Sequence, residues 1–585
     1  MDAKQKRRAL EILLIACLVA VAFLHLLKPV GDPDFFWHIK TGEWIWQNKS
    51  LPQADLFTFT EAGNTSALKR FALTSYWLSQ VSYYLFYLAG GMGAIVALRW
   101  AIVLILAYFM LKQREGDGLV YLCLLTMFLV FLLTSYSIER PHVFSFVFFA
   151  ILLYLLYSIR NEVSGERPFS ALLYIPLLMF IWANTHGGYV LGQTTILLFI
   201  AMEGIKFVNP VLRPLKRGTY KRLLIAGLSG LAFSLANPNT YHAVEIFRLA
   251  PQLKSVNIEY QTTLYAFRKF GNPSLFLYWF MLFLTACCAA FNIRRPDITK
   301  LALLAGTGFF SFTQVRFGPF FWIAALPYVG SCLSGEKIRR FSRVFFMLTA
   351  LSVAVFFTRG EYANLRNFIS GNWIRDDSAP VGAADFIIKN DLRGRMFNHY
   401  NLGGYLIWRL APERKVFIYG GSLYDAVFSQ AQLIDLGFAD TIAGMPFWKS
   451  CLQAYGVRYV VVPFLMPSGE LSPLIFALQQ DNDWLPVFAD PSAVIFVKDS
   501  YENKHVTGKY SIPKELFIDR LIELCDRMLI SSPDNVLVYV AKGDLYMKKA
   551  MFKEARAMFE KALRISPSNS TAMGKLRLLS HLYSS

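Results

Sequence analysis

Three side chains capable of acid–base or metal chemistry lie close together near the start of the chain. Asp32, Asp34 and His38 follow the first long hydrophobic run directly. Asp34 and His38 are four residues apart, so on a helix they would share a face, either as a carboxylate–imidazole pair or as ligands, with Asp32, of one divalent cation. Ionisable groups at a membrane are costly to place and are typically functional. The alternative is that Asp32-Pro33-Asp34 only caps and stops a helix.

Further polar side chains stand where other hydrophobic runs begin or end. They are Arg140, His142, Asn184, His186 and Arg316. The two arginines either extend to lipid phosphates, as long basic side chains do at membrane surfaces, or bind a substrate phosphate. His186 is either a hydrogen-bonded residue at a helix end or part of a substrate cavity. Glu259 is interpreted as a surface residue of a long loop, and Asn237-Pro238-Asn239 as a turn.

The overall composition is that of a polytopic membrane protein. The 585 residues are 55% hydrophobic, with a mean hydropathy of +0.39. The apolar runs have the length needed to cross a hydrocarbon layer of about 30 Å. The net charge of +19 comes from Lys and Arg in short loops between these runs, which is the positive-inside pattern. This distribution accounts for the charge, so no nucleic-acid partner is expected.

The pattern predicts a mainly α-helical membrane domain with about 11 transmembrane helices. The predicted spans are approximately 10–29, one within 75–111, 118–137, 142–159, 169–184, 188–207, 222–236, 274–292, 299–313, 316–333 and 342–358. The basic residues that set the orientation are Lys4, Lys6, Arg7, Arg8, Arg160, Arg167, Lys206, Arg213, Lys216, Arg217, Lys221, Arg222, Arg294, Arg295, Lys300, Lys337, Arg339, Arg340 and Arg343. They predict that the N-terminus lies in the cytoplasm and that everything after residue 358 lies outside the membrane.

The stretch 75–111 is long enough for two spans and is interrupted by Gly90-Gly91-Met92-Gly93. Two spans would invert the orientation of every later loop. The Trp, Tyr, Ser and Gln content of 76–88 suits the membrane interface, where amphipathic aromatic rings settle. The sequence therefore predicts one interfacial helix followed by one span.

The part after residue 358 divides in two. Within 359–505, helical stretches such as 383–389 alternate with short β-branched or aromatic runs at 416–419, 459–462 and 493–497, which predicts a small extracytoplasmic α/β domain. The segment 506–585 is predicted to be helical and tetratricopeptide-like, because small residues, aromatics and a proline fall at the offsets of that repeat. Those positions are Gly543, Tyr546, Ala555, Phe559, Ala562 and Pro567. The predicted membrane domain is then 1–358, with 31–91 as its first outer loop and interfacial helix.

Signatures of soluble enzymes are absent from the sequence. It contains no P-loop, no Gly-x-Ser-x-Gly, no His-Glu-x-x-His and no dinucleotide fingerprint. The seven cysteines show no metal-ligand spacing, so neither a structural zinc site nor an essential disulfide is expected.

An acidic pair after the first span, an interfacial helix with Tyr76-Trp77-Leu78 and an arginine at position 99 together resemble the GT-C glycosyltransferases. The closer likeness is to bacterial members with an Asp-x-Asp-x-Trp-Trp-His opening, which here has Phe36 in place of the first Trp. Further similar stretches are Leu51-Pro52 with Asp55, Arg140-Pro141-His142, 184–187, Asn237-Pro238, 398–405 and 416–418. An Asp and an Arg expected after the last of these are replaced by Tyr419 and Gly421.

The resemblance implies a membrane enzyme that takes sugar from a polyprenyl-phosphate donor and inverts the anomeric carbon. Asp34 would be the general base on the acceptor hydroxyl, and Asp32 would orient it or share a divalent cation with it; no cofactor is otherwise implied. Arg140, with His142 or Arg316, would hold the departing phosphate. The remaining candidate substrate-binding residues are His38, Asn184 and His186.

Two other classes of function remain open from the sequence. One is a non-catalytic membrane scaffold for envelope-polysaccharide assembly, in which the tetratricopeptide-like segment binds a protein partner. The other is a transporter of lipid-linked saccharides. Transporters typically place ionisable residues near the bilayer midplane, whereas those of this chain gather at the ends of spans, which favours the other two classes.

Overall fold

The computed structural model describes residues 20, 22–65, 67–161, 169–240, 242, 258–270, 274–292, 296–333, 344, 348, 351–352, 361–375, 379–422, 426–442 and 444–584. The chain forms two compact units. The helical unit comprises Met1–Val30, Thr41–Gln53 and Ser66–Trp373, and the sheet unit comprises Gly31–Lys40, Ala54–Thr65 and Ile374–Ser585. Two pieces of the predicted first outer loop therefore group with the C-terminal part of the chain.

The helices of the helical unit include the long apolar runs of the sequence as well as shorter, more polar segments. The second part of helix α1 (Pro33–Asn48), from Thr41 onward, belongs to this unit. The other helices of the unit are α2 (Ala67–Thr74), α3 (Trp77–Lys112), α4 (Gly118–Ser135), α5 (His142–Arg160), α6 (Phe169–Thr185), α7 (Tyr189–Ile205), α8 (Arg217–Ser234), α9 (Thr263–Phe270), α10 (Ser274–Phe291), α11 (Ile298–Thr313), α12 (Gly318–Cys332) and α13 (Glu361–Ile369).

Helix α12 forms the core of the helical unit. Its residues 318–330 are all buried. Trp322 stacks between Phe128 and Phe131 of α4, with ring centroids 5.9 and 6.0 Å apart. Because aromatic side chains bury large areas, this stack fixes α12 against α4.

Helix α3 is two helices joined at a kink. Gly90 and Gly91 have non-helical backbone angles, and Gly91 has φ +61°, a conformation that glycine adopts without a steric penalty. The predicted interruption of the hydrophobic stretch at this position is confirmed.

Five helical stretches of the described residues are long and apolar enough to cross a membrane: Lys69–Lys112, Gly118–Ser135, His142–Arg160, Tyr189–Val208 and Ser274–Phe291. Large apolar side chains point outward from several of them, such as Leu104, Phe276 and Phe283. These features suit a multi-pass membrane protein.

Other predicted spans form helices that are shorter or carry more basic residues than these five, and two predicted spans lie mostly outside the residues that the structure describes. Predicted span 222–236 corresponds to α8, whose first turns carry Arg217, Lys221 and Arg222. Most of 10–29 and 342–358 lies outside the described residues, as do Lys4, Lys6, Arg7, Arg8, Arg167, Arg294, Arg295, Lys337, Arg339, Arg340 and Arg343. The number of spans and the orientation stay predictions.

Charged residues at the ends of predicted spans and in the adjoining loops predicted to be cytoplasmic form a largely buried network. Glu203 Oε1 accepts from Lys206 Nζ at 2.7 Å and from Thr299 Oγ1 at 2.7 Å, and lies 3.2 Å from Arg160 Nε. Arg160 Nη2 also lies 2.7 Å from Asp297 Oδ2. Buried charges are tolerated when paired in this way, and the network ties together the ends of α5, α7 and α11.

The sheet unit is built on four strands, β1 (Arg395–Asn398), β4 (Val457–Pro463), β5 (Trp484–Ala489) and β6 (Ala493–Lys498), in the order β1-β4-β6-β5. β1 and β4 are parallel, with Met396 opposite Tyr459, and the other two pairings are antiparallel. A two-residue pair, β2 (Thr441–Ile442) and β3 (Met445–Pro446), lies apart from this sheet. The helices of the sheet unit up to residue 510 are α14 (Val381–Lys389), α15 (Tyr400–Leu410), α16 (Ala426–Asp435), α17 (Phe447–Ala454), α18 (Pro473–Gln480) and α19 (Lys504–Tyr510).

Two of the three predicted strands, 459–462 and 493–497, are confirmed as parts of β4 and β6. The third run forms no regular strand, although Val416 makes a parallel bridge with Thr58. Asn398 explains the difference. Its buried side chain accepts from Phe417 N at 2.8 Å and donates to Ile418 O at 2.8 Å, so a side-chain amide takes the place of a backbone partner.

Four further helices complete the sheet unit: α20 (Lys514–Ser531), α21 (Val536–Lys548), α22 (Phe552–Ile565) and α23 (Ser570–Ser584). Gly543 of α21 faces the Phe559 ring of α22 so closely that a Cβ would lie 2.4 Å from Cε1. Lys575 Nζ bridges Asp544 and Glu470, 2.9 Å from each, and thus joins α23 both to α21 and to the loop after β4. The helical nature of this segment is confirmed; its tetratricopeptide character stays a prediction.

Candidate functional site

Asp32 is the N-cap of helix α1. Its Oδ1 accepts the backbone N–H of Asp34 at 2.9 Å, and Pro33 occupies the first helical position, where its missing N–H costs no hydrogen bond. The helix-cap interpretation of this stretch therefore describes Asp32, whose side chain is buried. It does not describe Asp34, which is half-buried in the first turn, where the helix dipole favours a negative charge.

Trp37 holds one oxygen of Asp34. Its Nε1 donates to Asp34 Oδ1 at 3.3 Å. The next residue, His38, is buried, and its ring lies against the Trp37 ring, with centroids 3.6 Å apart. Within the described residues no three His, Cys, Asp or Glu side chains group so that they could hold a metal ion. A cation at Asp34 would therefore draw further ligands from water or substrate, as Mg²⁺ commonly does.

A second buried carboxylate, Asp55, organises the segment beside this turn. Its Oδ1 accepts the backbone N–H groups of Phe57 and Thr58, both at 2.8 Å, and its Oδ2 accepts the Tyr419 hydroxyl at 3.0 Å. Burial, followed by the nearby Asp55 carboxylate, raises the pKa of Tyr419 well above its usual 10, so its hydroxyl stays protonated and donates. Neither residue was assigned a role from sequence. Their separation of 364 positions in the sequence leaves no local signal for the pair.

The helical unit places the two predicted phosphate-binding arginines beside one short segment. The 3-10 helix Ile258–Tyr260 supplies Glu259 Oε1, which accepts from Arg140 Nη1 at 3.1 Å. Its next residue, Tyr260, lies with its ring centroid 4.6 Å from the Arg316 guanidinium carbon, a cation–π distance. Glu259, interpreted as surface from the sequence, is thus an ion-pair partner of Arg140.

The hydrogen bonds of His186 define its tautomer. Nδ1 accepts the backbone N–H of Gly188 at 2.9 Å, so this nitrogen carries no proton in the neutral ring. Ser145 Oγ lies 2.7 Å from the same nitrogen and accepts from Trp182 Nε1 at 2.7 Å, so the Ser145 hydroxyl donates to Nδ1. Neutral His186 therefore carries its proton on Nε2 and can act there as a donor. The ring of His142 lies 6.5 Å away.

Asn184 ties three elements together. Its Oδ1 accepts from Trp77 Nε1 at 2.9 Å, and its Nδ2 lies 2.9 Å from the carbonyls of Phe180 and Ala236. Through these hydrogen bonds Asn184 connects α3, α6 and the end of α8. A direct contact of Asn184 with substrate stays a prediction.

The helical unit also contains a buried ion pair, Arg99 with Glu139. Arg99 Nη2 lies 2.6 Å from Glu139 Oε1, and Nη1 donates to the carbonyls of Leu26 and Lys28 at 3.1 and 2.7 Å. Arg99 is 1% and Glu139 5% exposed, so each charge depends on the other. Sequence reasoning noted Arg99 only as part of a resemblance and did not identify its partner.

The candidate residues thus form two clusters, one in each unit. Asp32, Asp34, Trp37 and His38 belong to the sheet unit, whereas Arg140, His142, Asn184, His186 and Arg316 belong to the helical unit. The predicted meeting of Asp34 with the arginines in one cavity stays a prediction.

No protein-family model matches the chain, and no curated protein matches it significantly. Several solved structures are similar to the chain. The archaeal oligosaccharyltransferase AglB from Archaeoglobus fulgidus, in complex with an inhibitory peptide and a dolichol-phosphate, aligns with a TM-score of 0.53 and 11% identity over 98% of this chain and 85% of its own. A second structure of the A. fulgidus oligosaccharyltransferase, with Zn and sulfate, aligns over 97% of this chain and 85% of its own, with the same TM-score and identity. Arabinofuranosyltransferase AftD from Mycobacteria aligns with a TM-score of 0.50 and 13% identity over 84% of this chain and 42% of its own. The similarity shows that the chain shares the overall fold of these structures.

Proposed function

We propose, from the fold that the chain shares with these membrane proteins, that it is a GT-C glycosyltransferase. It would transfer a sugar from a polyprenyl-phosphate donor to an acceptor hydroxyl outside the cytoplasmic membrane, with inversion. The observation that carries the proposal is Asp34. It is a half-buried carboxylate in the first turn of α1, with one oxygen fixed by the Trp37 indole.

The proposed reaction is a single displacement. The acceptor hydroxyl gives its proton to Asp34 while its oxygen bonds to the anomeric carbon, and the bond from that carbon to the phosphate oxygen breaks. The products are the glycosylated acceptor, protonated Asp34 and polyprenyl phosphate, and Asp34 returns its proton to water. A base needs hydrogen-bond reach to the hydroxyl, which a half-buried side chain offers. Asp32 supports Asp34 by starting the helix that carries it.

The departing phosphate needs positive charge or hydrogen-bond donors. Arg140 and Arg316 are the proposed cations, and Nε2–H of His186 is a proposed neutral donor, with His142 beside it. His38 would contribute through its packing on Trp37. The AglB structure that contains a dolichol-phosphate supports a lipid phosphate as the ligand class.

Asp34 is proposed as the side chain that would hold an auxiliary divalent cation, which would add positive charge for the departing phosphate. The A. fulgidus structure that contains Zn and sulfate motivates measuring transfer before and after chelation. The reaction steps above use only side chains of the chain itself.

The proposed location is the bacterial cytoplasmic membrane, with the N-terminus inside and the sheet unit outside. The distribution of Lys and Arg in the sequence supports this orientation. The helical segment 506–585 is proposed to bind a protein partner of envelope-polysaccharide assembly.

The function is tested with the purified full chain in lipid nanodiscs. Radiolabelled hexosyl and pentosyl polyprenyl phosphates serve as donors, and envelope extract from cells lacking the protein serves as the acceptor source. We expect label in acceptor and an equal amount of polyprenyl phosphate released. Movement of intact donor across proteoliposomes without release would support the transporter. No transfer from any of these donors would contradict the enzyme and favour the scaffold.

The ion pair of Glu259 with Arg140 predicts the effect of one substitution on donor binding. A phosphate that binds Arg140 must compete with the Glu259 carboxylate. Glu259→Gln removes that competitor, so we expect the Kd for undecaprenyl phosphate to fall about two- to fivefold, as the modest worth of a partly exposed pair allows. Titration in nanodiscs measures this Kd.

A matched control for this prediction is Glu502→Gln. Glu502 forms an ion pair of similar length with Arg458, at 3.0 Å, and belongs to the sheet unit. Its replacement is expected to leave the Kd unchanged. Weaker or unchanged binding in Glu259→Gln would contradict the competition.

A further inference from the structure

The segment 416–420 is fixed on both sides within the sheet unit. On one side Val416 N donates to Phe57 O at 2.9 Å, and the Thr60 hydroxyl donates to Phe417 O at 2.6 Å. On the other side the amide of Asn398 pairs with this segment. The side chains from Val416 to Tyr419 are completely buried. Such a segment has little freedom to adjust and can serve as a rigid wall.

Gly420 brings this wall against Asp34. A Cβ at position 420 would lie 1.9 Å from Asp34 Oδ1 and 3.0 Å from Trp37 Nε1. A second glycine makes a similar approach, because a Cβ at Gly404 would lie 2.0 Å from the Pro33 carbonyl oxygen. The first turn of α1 therefore rests on two backbone positions that only glycine can occupy at this distance.

Tyr419 supports Trp37 from the same wall. The two rings meet edge to face, with centroids 5.5 Å apart and planes at 76°. Tyr419 is held in turn by its hydrogen bond to Asp55, which is anchored on Phe57 N and Thr58 N. A connected series of contacts thus runs from Asp55 through Tyr419 to Trp37 and ends at Asp34 Oδ1.

We propose that Gly420, Tyr419 and Asp55 are positioning residues for Asp34. Gly420 leaves the space that Asp34 Oδ1 occupies, and the Tyr419–Asp55 pair fixes the indole that donates to this oxygen. The inference rests on the proposed function, in which Asp34 is the base, and concerns the end of the run 416–419, where the GT-C resemblance led us to expect an Asp and an Arg. Tyr419 stands at the first of these two positions, and the positioning glycine, Gly420, lies between them.

Gly420→Ala tests the contact directly. Gly420 has no positive φ, and the nearest atoms that the new methyl group meets belong to the Asp34 carboxylate, with Trp37 Nε1 next at 3.0 Å. We therefore expect the chain to fold and the carboxylate to move. A displacement of about 1 Å at a reacting group can lower the rate about a hundredfold. We expect kcat to fall about 10- to 100-fold with the donor KM unchanged. Gly508→Ala is the matched control, because a Cβ there meets nothing within 4 Å.

The pH profile separates positioning from a general structural effect. Trp37→Phe keeps a ring but removes the N–H that stabilises the charged carboxylate, so the acid limb of kcat/KM is expected to move to higher pH. Gly420→Ala displaces the carboxylate from the same donor and is expected to move the limb in the same direction. Tyr419→Phe, which keeps the ring contact, is expected to lose less activity than Tyr419→Leu.

The outcomes distinguish this inference from the function on which it rests. If Asp34→Asn is inactive but Gly420→Ala and Trp37→Phe keep the wild-type kcat and acid limb, the positioning role is wrong and the proposed function stands. If Asp34→Asn transfers sugar normally, Asp34 is not the base, and both the proposed mechanism and the positioning inference are wrong. Should Gly420→Ala fail to fold, Trp37→Phe decides, and an unmoved acid limb overturns the inference.

Discussion

Replacing Asp34 by Asn is expected to lower sugar transfer at least a hundredfold while the protein stays folded. Asn has the same size and can still accept the Trp37 indole hydrogen bond through its Oδ1. It cannot take the proton of the acceptor hydroxyl, and a general base contributes about 10²–10⁴-fold to the rate. The start of helix α1 is unaffected because Asp32, not Asp34, is its cap. Transfer of labelled sugar in nanodiscs at saturating donor measures the loss.

Two further variants sharpen this result. Asp385→Asn removes a half-exposed carboxylate of the sheet unit that is paired with Arg409, and it is expected to leave transfer unchanged. Asp32→Asn keeps the cap, since Asn caps helices as well as Asp does. A loss in Asp32→Asn equal to that in Asp34→Asn would show that the charge of Asp32 also takes part. Transfer by Asp34→Asn at more than a tenth of the wild-type rate would contradict its assignment as the base.

The second large effect is expected on stability, from Arg99→Met. The substitution leaves Glu139 as a buried charge without its cation and removes the donor from the carbonyls of Leu26 and Lys28. Breaking a buried ion pair on one side typically costs about 3–5 kcal/mol. We therefore expect a lower yield of folded protein and a clearly lower midpoint of thermal unfolding in detergent.

The double variant Arg99→Met/Glu139→Leu removes both charges and is expected to recover part of the lost stability. Arg556→Met is the matched control. Arg556 pairs with Glu560 at 2.9 Å on the exposed face of α22, where such a pair contributes at most about 0.5 kcal/mol. An effect of Arg99→Met no larger than that of Arg556→Met would contradict a stabilising role for the buried pair.

Features that depend on local pattern could be predicted from the sequence. The break at Gly90-Gly91 follows from the conformational freedom of glycine, and the helices of the helical unit follow from continuous apolar runs. The strands at 459–462 and 493–497 follow from β-branched residues. The sequence of Asp32-Pro33-Asp34 is compatible with both a helix cap and a functional site, and the hydrogen bond from Asp34 N to Asp32 Oδ1 assigns the cap to Asp32.

Features that join distant parts of the chain could not be predicted. The Tyr419–Asp55 bond spans 364 residues, and the Arg140–Glu259 bond spans 119. No periodicity encodes such pairs, and a hydropathy pattern treats Arg99 as an interruption rather than as half of an ion pair. The residue types of the run 416–419 predict a strand. Its pairing with a side chain instead of a backbone is decided by tertiary contacts.

The amide of Asn398 has a consequence for how this protein can evolve. Its oxygen and nitrogen imitate one peptide unit, with an acceptor for Phe417 N and a donor for Ile418 O. Aspartate lacks the donor, glutamine is one carbon too long, and leucine lacks both groups. Among the twenty amino acids no other side chain offers that pair of groups at that reach. Any substitution at position 398 is therefore expected to lose at least one of the two hydrogen bonds. The hydrogen-bonded link between β1 and the wall behind Asp34 therefore depends on asparagine at this position.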